Sequence, residues 1–274
     1  MRVGFVGLGN QGAPIARRIV DAGFPTTIWA RRPEALDPFR DSAALIVDRL
    51  FDTAKDVDLL ALCVFDAAGI AEVLFGPDGL AAALPRGAII AVHSTISPRE
   101  VIGLARRAEV DGLRLLDAPV SGGAARAAAG ELVTIIGGEL DDLTAARPVF
   151  ETFAAHVLHL GPVGAGQQAK LLNNALLTAN LGAAADAFDV AAELGLNREA
   201  FAAVLRSGSG TSQGVEMLAA AGAPGVAGLA ASQARPTLTK DLELLAEELS
   251  GRVDGTLLRA ARDMITRMRD VSVA

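Results

Sequence analysis

The chain is short of cysteine, histidine, lysine and positive charge, and each shortage excludes something. Among 274 residues there is one cysteine, Cys63, set inside an apolar run. A single thiol rules out a disulfide framework within one chain and fits a reducing compartment. The three histidines, His93, His156 and His159, are scattered, and no cysteine or carboxylate cluster has metal-ligand spacing. No metal site is therefore expected, and His156 and His159, flanking a strand, read as structural. A net charge of −7 argues against a nucleic-acid partner, which would call for a basic face. No run reaches the roughly 18 apolar residues of a membrane-spanning helix. The N-terminus enters a strand at once, without a basic leader segment. The expectation is a cytoplasmic protein without membrane contact. With 51% hydrophobic residues, the chain can build a substantial core in one large or two modest domains.

Lysine is as scarce as histidine: Lys55, Lys170 and Lys240 are the lysines among 25 basic residues, the rest being arginine. Arginine effectively never gives up its proton, whereas burial or a neighbouring positive charge can push lysine toward neutrality. The scarcity is either compositional bias or a sign that lysine is kept where proton transfer needs it.

The first 160 residues alternate short β-rich runs with helical stretches. The runs are Arg2–Val6, Thr26–Trp29, Leu45–Val47, Leu59–Val64, Ala88–His93, Leu113–Leu116, Leu132–Ile136 and Val157–Leu160. Several are continuously apolar, as strands covered on both faces by helices must be. This rhythm predicts an α/β fold, a Rossmann-type, doubly wound, mostly parallel sheet. After Gly161-Pro162 the texture changes. Gln167–Leu194 reads as one proline-free helix ended by Gly195. At 1.5 Å per residue it would be about 42 Å long, too long for a crossover of the sheet. Residues 1–162 are read as the sheet domain and 163–274 as an all-helical domain joined by that long helix. Ala219–Pro236, rich in Ala, Gly and Pro, reads as a loop-containing stretch.

Gly7-Leu8-Gly9-Asn10-Gln11-Gly12 closes the first predicted strand and opens a helix over Ala13–Ala22. In that context G-x-G-x-x-G is a dinucleotide fingerprint. Gly7 permits the tight turn, Gly9 lets backbone approach a pyrophosphate, and Gly12 allows close helix–strand packing. The helix N-terminus presents donors to the phosphates. An acid at the end of the second strand would select NAD through its ribose hydroxyl. Here the strand ends in Trp29-Ala30-Arg31-Arg32-Pro33. Two guanidinium groups in place of an acid predict NADP(H), with Arg31 gripping the 2′-phosphate and Arg32 a lid over the adenine.

Asp117-Ala118-Pro119-Val120-Ser121-Gly122-Gly123 follows another predicted strand, putting Ser121 at its carboxyl end, where open α/β sheets bind ligands. A hydroxyl and unshielded N–H groups suit a small carboxylate; alone, the same run suits a flexible turn. Lys170, Asn173 and Asn174 fall in the first two turns of the long helix, at spacings that put both amides beside the lysine. The positive end of the helix dipole, with burial, would lower the lysine pKa toward general acid–base work. The same pattern is common on solvated helices. Asp186 and Asp189 read as a solvated face of that helix.

Together these segments, with Lys240-Asp241-Leu242, resemble in order and spacing the β-hydroxyacid dehydrogenase family, over nearly the whole chain. That family includes 3-hydroxyisobutyrate dehydrogenases and the tartronate and glyoxylate/succinic semialdehyde reductases. The resemblance implies hydride transfer between NADP(H) and a small 3-hydroxy acid or semialdehyde. It makes Lys170 the proton donor or acceptor and Asn174 the substrate-orienting amide. Ser121, Gly122 and Gly123 become the substrate-carboxylate loop, Thr95 a cofactor-contacting hydroxyl, and Lys240 a lysine near the nicotinamide. A homodimer or homotetramer is implied as well.

Three positions depart from the family pattern. Gln11 stands where members often have Met, and Gln233 where they often have an aromatic. Ser207–Ser212 replaces a Ser-Gly-Arg-Ser-type segment of the aldehyde reductases. Two alternatives stay open: an imine reductase on the same scaffold, and a non-catalytic dinucleotide-binding protein. Lys170 speaks against the first, and the Lys170–Asn174 pair against the second. The 6-phosphogluconate dehydrogenases are larger and need a phosphate grip not evident here.

Overall fold

The computed structural model describes residues 1–221, 226–230 and 234–271. It divides the chain into two compact units, Met1–Lys170 and Leu171–Ala274. The first unit holds a nine-stranded sheet: β1 Val3–Val6, β2 Thr26–Trp29, β3 Leu45–Ile46, β4 Leu59–Leu62, β5 Ile89–Val92, β6 Arg114–Asp117, β7 Val120–Ser121, β8 Leu132–Gly137 and β9 Ala154–Gly161. β1 to β6 pair in parallel in the order 3-2-1-4-5-6, the doubly wound arrangement expected from the β-α rhythm. β8 runs antiparallel to β6 and β7 and parallel to β9.

Every residue of β1, β4 and β5 is buried, and consecutive side chains go to opposite faces. Val3, Phe5, Leu59, Ala61, Ile89 and Ala91 join one core with α1 (Gly12–Asp21). Val6, Leu60, Leu62, Ile90 and Val92 join another with α2 (Ala67–Phe75) and α3 (Pro98–Val110). Two covered faces explain why these strands read as unbroken apolar runs rather than alternations. α4 (Gly123–Ala129) and α5 (Leu140–Phe150) complete the first core.

The boundary between units falls within α6 (Ala165–Glu193), the long helix expected from the sequence. The second unit continues with α7 (Arg198–Ser207), α8 (Gln213–Ala220), α9 (Val226–Ala230), α10 (Ala234–Leu249) and α11 (Thr256–Val271), with no strand among the described residues. Its core joins Leu171, Phe188, Leu218, Leu242, Leu245, Met264 and Met268. α8 lies close against α6, since a Cβ on Gly214 would stand 2.7 Å from the Asn180 backbone. The described part of Ala219–Pro236 is more helical than expected, holding α9 and the start of α10.

Candidate functional site

Because β1, β2, β4, β5 and β6 are parallel neighbours, the segments following them emerge at one edge of the sheet. Gly7–Gly12 follows β1. Gly7 has φ of +105°, and a Cβ there would lie 2.3 Å from the Cys63 carbonyl oxygen. A Cβ on Gly12 would come within 1.9 Å of the Gly7 carbonyl oxygen, so α1 starts pressed onto the turn. Leu8 is buried and anchors the loop, while Gly9 and Asn10 are exposed. No atom lies within 4 Å of where a Gly9 side chain would begin. Gln11 precedes α1 without capping it, and the first turn holds no acid. An uncapped helix start beside open space fits a pyrophosphate, which the helix N–H groups and dipole would hold.

Arg31 and Arg32 follow β2, both exposed, with no carboxylate paired to either among the described residues. Cys63 and Phe65 follow β4. Desolvation pushes the Cys63 thiol up to about 11, which removes it as a nucleophile. Phe65 is 79% exposed and gives this edge a flat apolar ring suited to stacking. After β5, Ser94 donates from its hydroxyl to the Val64 carbonyl, and half-buried Thr95 comes next. Ser97 caps α3 in a reciprocal capping box with Glu100, which ends this loop cleanly.

Ser121 does not prolong the strand expected before it. β6 stops at Asp117, and Ser121 closes the separate two-residue β7 against Val133 of β8. The one proline and two glycines around it are the reason: Pro119 cannot donate to a ladder, and Gly122 and Gly123 have φ of +135° and +77°. Ser121 is half-buried and Gly122 exposed.

Asp117 has no exposed surface and accepts hydrogen bonds from Gly164 N–H (2.7 Å) and Gln167 N–H (2.8 Å). Burial raises its pKa, and the N–H donors of Gly164, Gln167 and Gly166 oppose that rise. It is a tertiary cap on the start of α6, which carries Lys170 in its second turn, buried at 8% exposure. The positive end of α6 thus faces a buried carboxyl group.

Within the second unit, Asn174 is buried and Asn173 exposed. Asn174 Nδ2 donates to Asp241 Oδ2 (2.6 Å), and its Oδ1 accepts from Asn173 Nδ2 (3.1 Å). Asp241 is fully buried, and Lys240 Nζ lies 3.6 Å from its Oδ1. One carboxylate thus orients the Asn174 amide and draws in the Lys240 ammonium.

Lys55 pairs with Asp52 at 2.6 Å on the surface, as expected of a residue outside the site. Asp186 and Asp189 are exposed and both engage Arg267. No group of His, Cys, Asp or Glu among the described residues could hold a metal ion, and no described helix is long and apolar enough to cross a membrane. Gln233 lies outside the described residues. Sequence reasoning missed Asp117, Gln167, Asp241 and Phe65 as parts of the site. Asp117 and Asp241 sat inside quoted motifs; the available signal was an acid immediately after a strand and beside a lysine.

Two family descriptions match the chain end to end: residues 2–161 match the NAD binding domain of 6-phosphogluconate dehydrogenase. Residues 164–270 match the NAD-binding region of NADP-dependent 3-hydroxyisobutyrate dehydrogenase. The chain is 33% identical to the NAD-dependent L-serine dehydrogenase of Pseudomonas aeruginosa over 216 residues, 79% of this chain and 72% of that protein. Its fold is similar to that of a Mycobacterium tuberculosis 3-hydroxyisobutyrate dehydrogenase solved with L-serine (TM-score 0.83, 27% identity, 98% of this chain and 94% of that one). It is also similar to Psf3 in complex with NADP+ and 2-OPP (TM-score 0.86, 27% identity, the same coverage).

Proposed function

The chain belongs to the β-hydroxyacid dehydrogenase family, and on that premise we propose that it moves a hydride between NADP(H) and a small, carboxylate-bearing 3-hydroxy acid or semialdehyde. Residues 1–162 act as the NADP-binding domain, and 163–274 as the helical domain that makes substrate and oligomer contacts. Gly7, Leu8, Gly9, Asn10, Gln11 and Gly12 cradle the pyrophosphate. Arg31 grips the 2′-phosphate, Arg32 covers the adenine, and Thr95 and Lys240 lie nearer the nicotinamide. The relatives include both NAD- and NADP-using proteins by name, so the choice of NADP(H) rests on this chain's two exposed arginines and absent acid after β2.

The bound nicotinamide supplies or takes the hydride. In oxidation, Lys170 accepts the hydroxyl proton as the carbinol C–H bond breaks; in reduction it returns that proton to the carbonyl oxygen. Ser121, Gly122 and Gly123 hold the substrate carboxylate, and Asn174 orients the reacting oxygen. The observation that carries this reading is Lys170 itself, a buried lysine in a chain with three, set at the start of α6. Leu172, Leu176, Ala183, Ala187 and Val190 fall within about 60° of arc on α6, with Leu194 just past its end, and Leu172, Leu176, Val190 and Leu194 are exposed large hydrophobics. That stripe supports a homodimer or homotetramer.

The test is a panel of 3-hydroxy acids, semialdehydes and cyclic imines assayed with NADPH or NADP+ and with NADH or NAD+. A charge-assisted grip contributes about 1.5–3 kcal/mol, so NADPH should bind about 10–100-fold more tightly than NADH, and Arg31→Ala should erase the difference. Equal affinities overturn the cofactor assignment. Lys170→Ala should abolish turnover and keep cofactor binding; an active variant removes Lys170 from the mechanism. Turnover of imines alone would move the chain to the rival activity.

A further inference from the structure

The run Gly164-Ala165-Gly166-Gln167 that opens α6 is built around two buried polar side chains with no assigned role. Asp117 reaches it from the end of β6, its Oδ1 accepting from Gly164 N–H and its Oδ2 from Gln167 N–H. The carboxyl group fits there because its neighbours lack side chains. A Cβ on Gly137 would stand 2.3 Å from Oδ1, and one on Gly166 would stand 2.8 Å from Oδ2. Gly164, at φ +98°, turns its N–H toward the same oxygen in a conformation that favours glycine.

Gln167 extends the joint to the next strand. Its side chain has no exposed surface; Oε1 accepts from Ile96 N–H (3.1 Å), and Nε2 donates to the Ser94 carbonyl (2.8 Å). The backbone on both sides of Thr95 is therefore tied to the residue one helical turn before Lys170. Asp117 in turn sits four residues before Ser121 on a segment pinned to the same helix start. Both side chains use their hydrogen-bonding capacity in directions that connect segments rather than stabilise one of them.

We infer that Asp117 and Gln167 are positioning residues for hydride transfer: they hold the Thr95 loop, the segment leading to Ser121 and the helix turn bearing Lys170 in one fixed register. The inference rests on the dehydrogenase reading proposed above. Neither residue needs to touch substrate or cofactor. Chemistry between groups on three separate segments is sensitive to displacements of about 1 Å, which can cost on the order of 100-fold in rate.

The experiment replaces Gln167 with Met, which keeps length and removes both hydrogen bonds, and with Glu, which keeps the acceptor toward Ile96. For Gln167→Met, kcat should fall by at least about tenfold, on the scale of such misplacements. The KM for substrate and the Kd for NADPH should each stay within about threefold, because the binding groups are still present. Gln167→Glu should lie between Met and wild type. Two results overturn the inference. One is a soluble Gln167→Met with wild-type kcat. The other is a loss of kcat that follows only the folded fraction, measured by active-site titration with NADPH, and disappears once rates are expressed per folded molecule. If the Met variant does not fold, the Glu variant decides by the same kcat-against-KM comparison. Lys170→Ala run in parallel separates the two readings. Turnover by that variant removes the lysine, whereas the Gln167 result still reports on the joint through Thr95.

Discussion

His93 makes the acid stability of the first unit depend on one buried ring. It follows β5 with 3% of its surface exposed, and Nδ1 lies 2.9 Å from the Ala118 carbonyl, so Nδ1 carries the hydrogen. Phe150 and Phe153 meet the ring edge-on at centroid distances of 5.7 and 5.5 Å. Desolvation pulls the pKa from 6.5 to about 4, against the pull of the Ala118 hydrogen bond. The folded value lies below the unfolded one, so between them the unfolded chain binds the extra proton. The stability tied to neutral His93 is whole above about pH 6.5 and is lost as pH falls toward 4. At about 1.4 kcal/mol per pKa unit the full loss is roughly 3 kcal/mol, of which about 2 falls between pH 7 and pH 5. Asp117 and Asp142, both raised by burial, move the other way, gaining stability as pH falls. The comparison must therefore be differential. Urea unfolding at pH 7 and pH 5, followed by far-ultraviolet circular dichroism, is compared between wild type and His93→Gln, which retains a donor for Ala118. Wild type should lose about 2 kcal/mol more than the variant on acidification. Parallel losses would refute the argument, because every other titrating group is common to both proteins.

Two further outcomes follow from the geometry. Gly12→Ala sets a methyl 1.9 Å from the Gly7 carbonyl oxygen, so α1 must shift away from the fingerprint turn. Such overpacking costs about 1–3 kcal/mol, and NADPH affinity should drop by at least about tenfold in a fluorescence titration; unchanged affinity would separate the turn from cofactor binding. Charging the α6 stripe with Leu176→Asp and Val190→Asp, both at exposed positions, should yield monomers in sedimentation analysis without loss of thermal stability. Persistence of the wild-type assembly would place the interface elsewhere.

The centre of the sheet was readable because its strands are covered on both faces. Val3 to Val6, Leu59 to Leu62 and Ile89 to Val92 are wholly buried, so the apolar runs and the strands coincide. β7 left no such trace. It is two residues long, hemmed by Pro119 and Gly122, and exists through pairing with β8 rather than through any propensity of its own. In the same way α9 is five residues long within an Ala- and Gly-rich stretch, and it joins the second core through Leu229 and Ala230 rather than through a helical period. Residue types were legible at the candidate site wherever the chemistry is local to a motif, as at Gly7–Gly12. They were not legible where a side chain serves a distant segment: the bonds from Asp117 to Gly164 and from Gln167 to Ser94 span 47 and 73 residues.

That difference alters how Lys170 has to be understood. From sequence, a lysine at the start of a long helix sits in a positive field, and the field alone would push it toward neutrality. In the fold, the same N-terminus is met by Asp117, whose two oxygens each accept an N–H. A carboxyl group that takes up these N–H donors offsets the positive end of the helix it caps. The lysine's environment is then a balance between helix dipole, burial and a structural carboxylate, and glycine at 137 and 166 is what lets that carboxylate approach. Glycine-rich motifs at such joints record room for another residue's charge as much as room for a ligand.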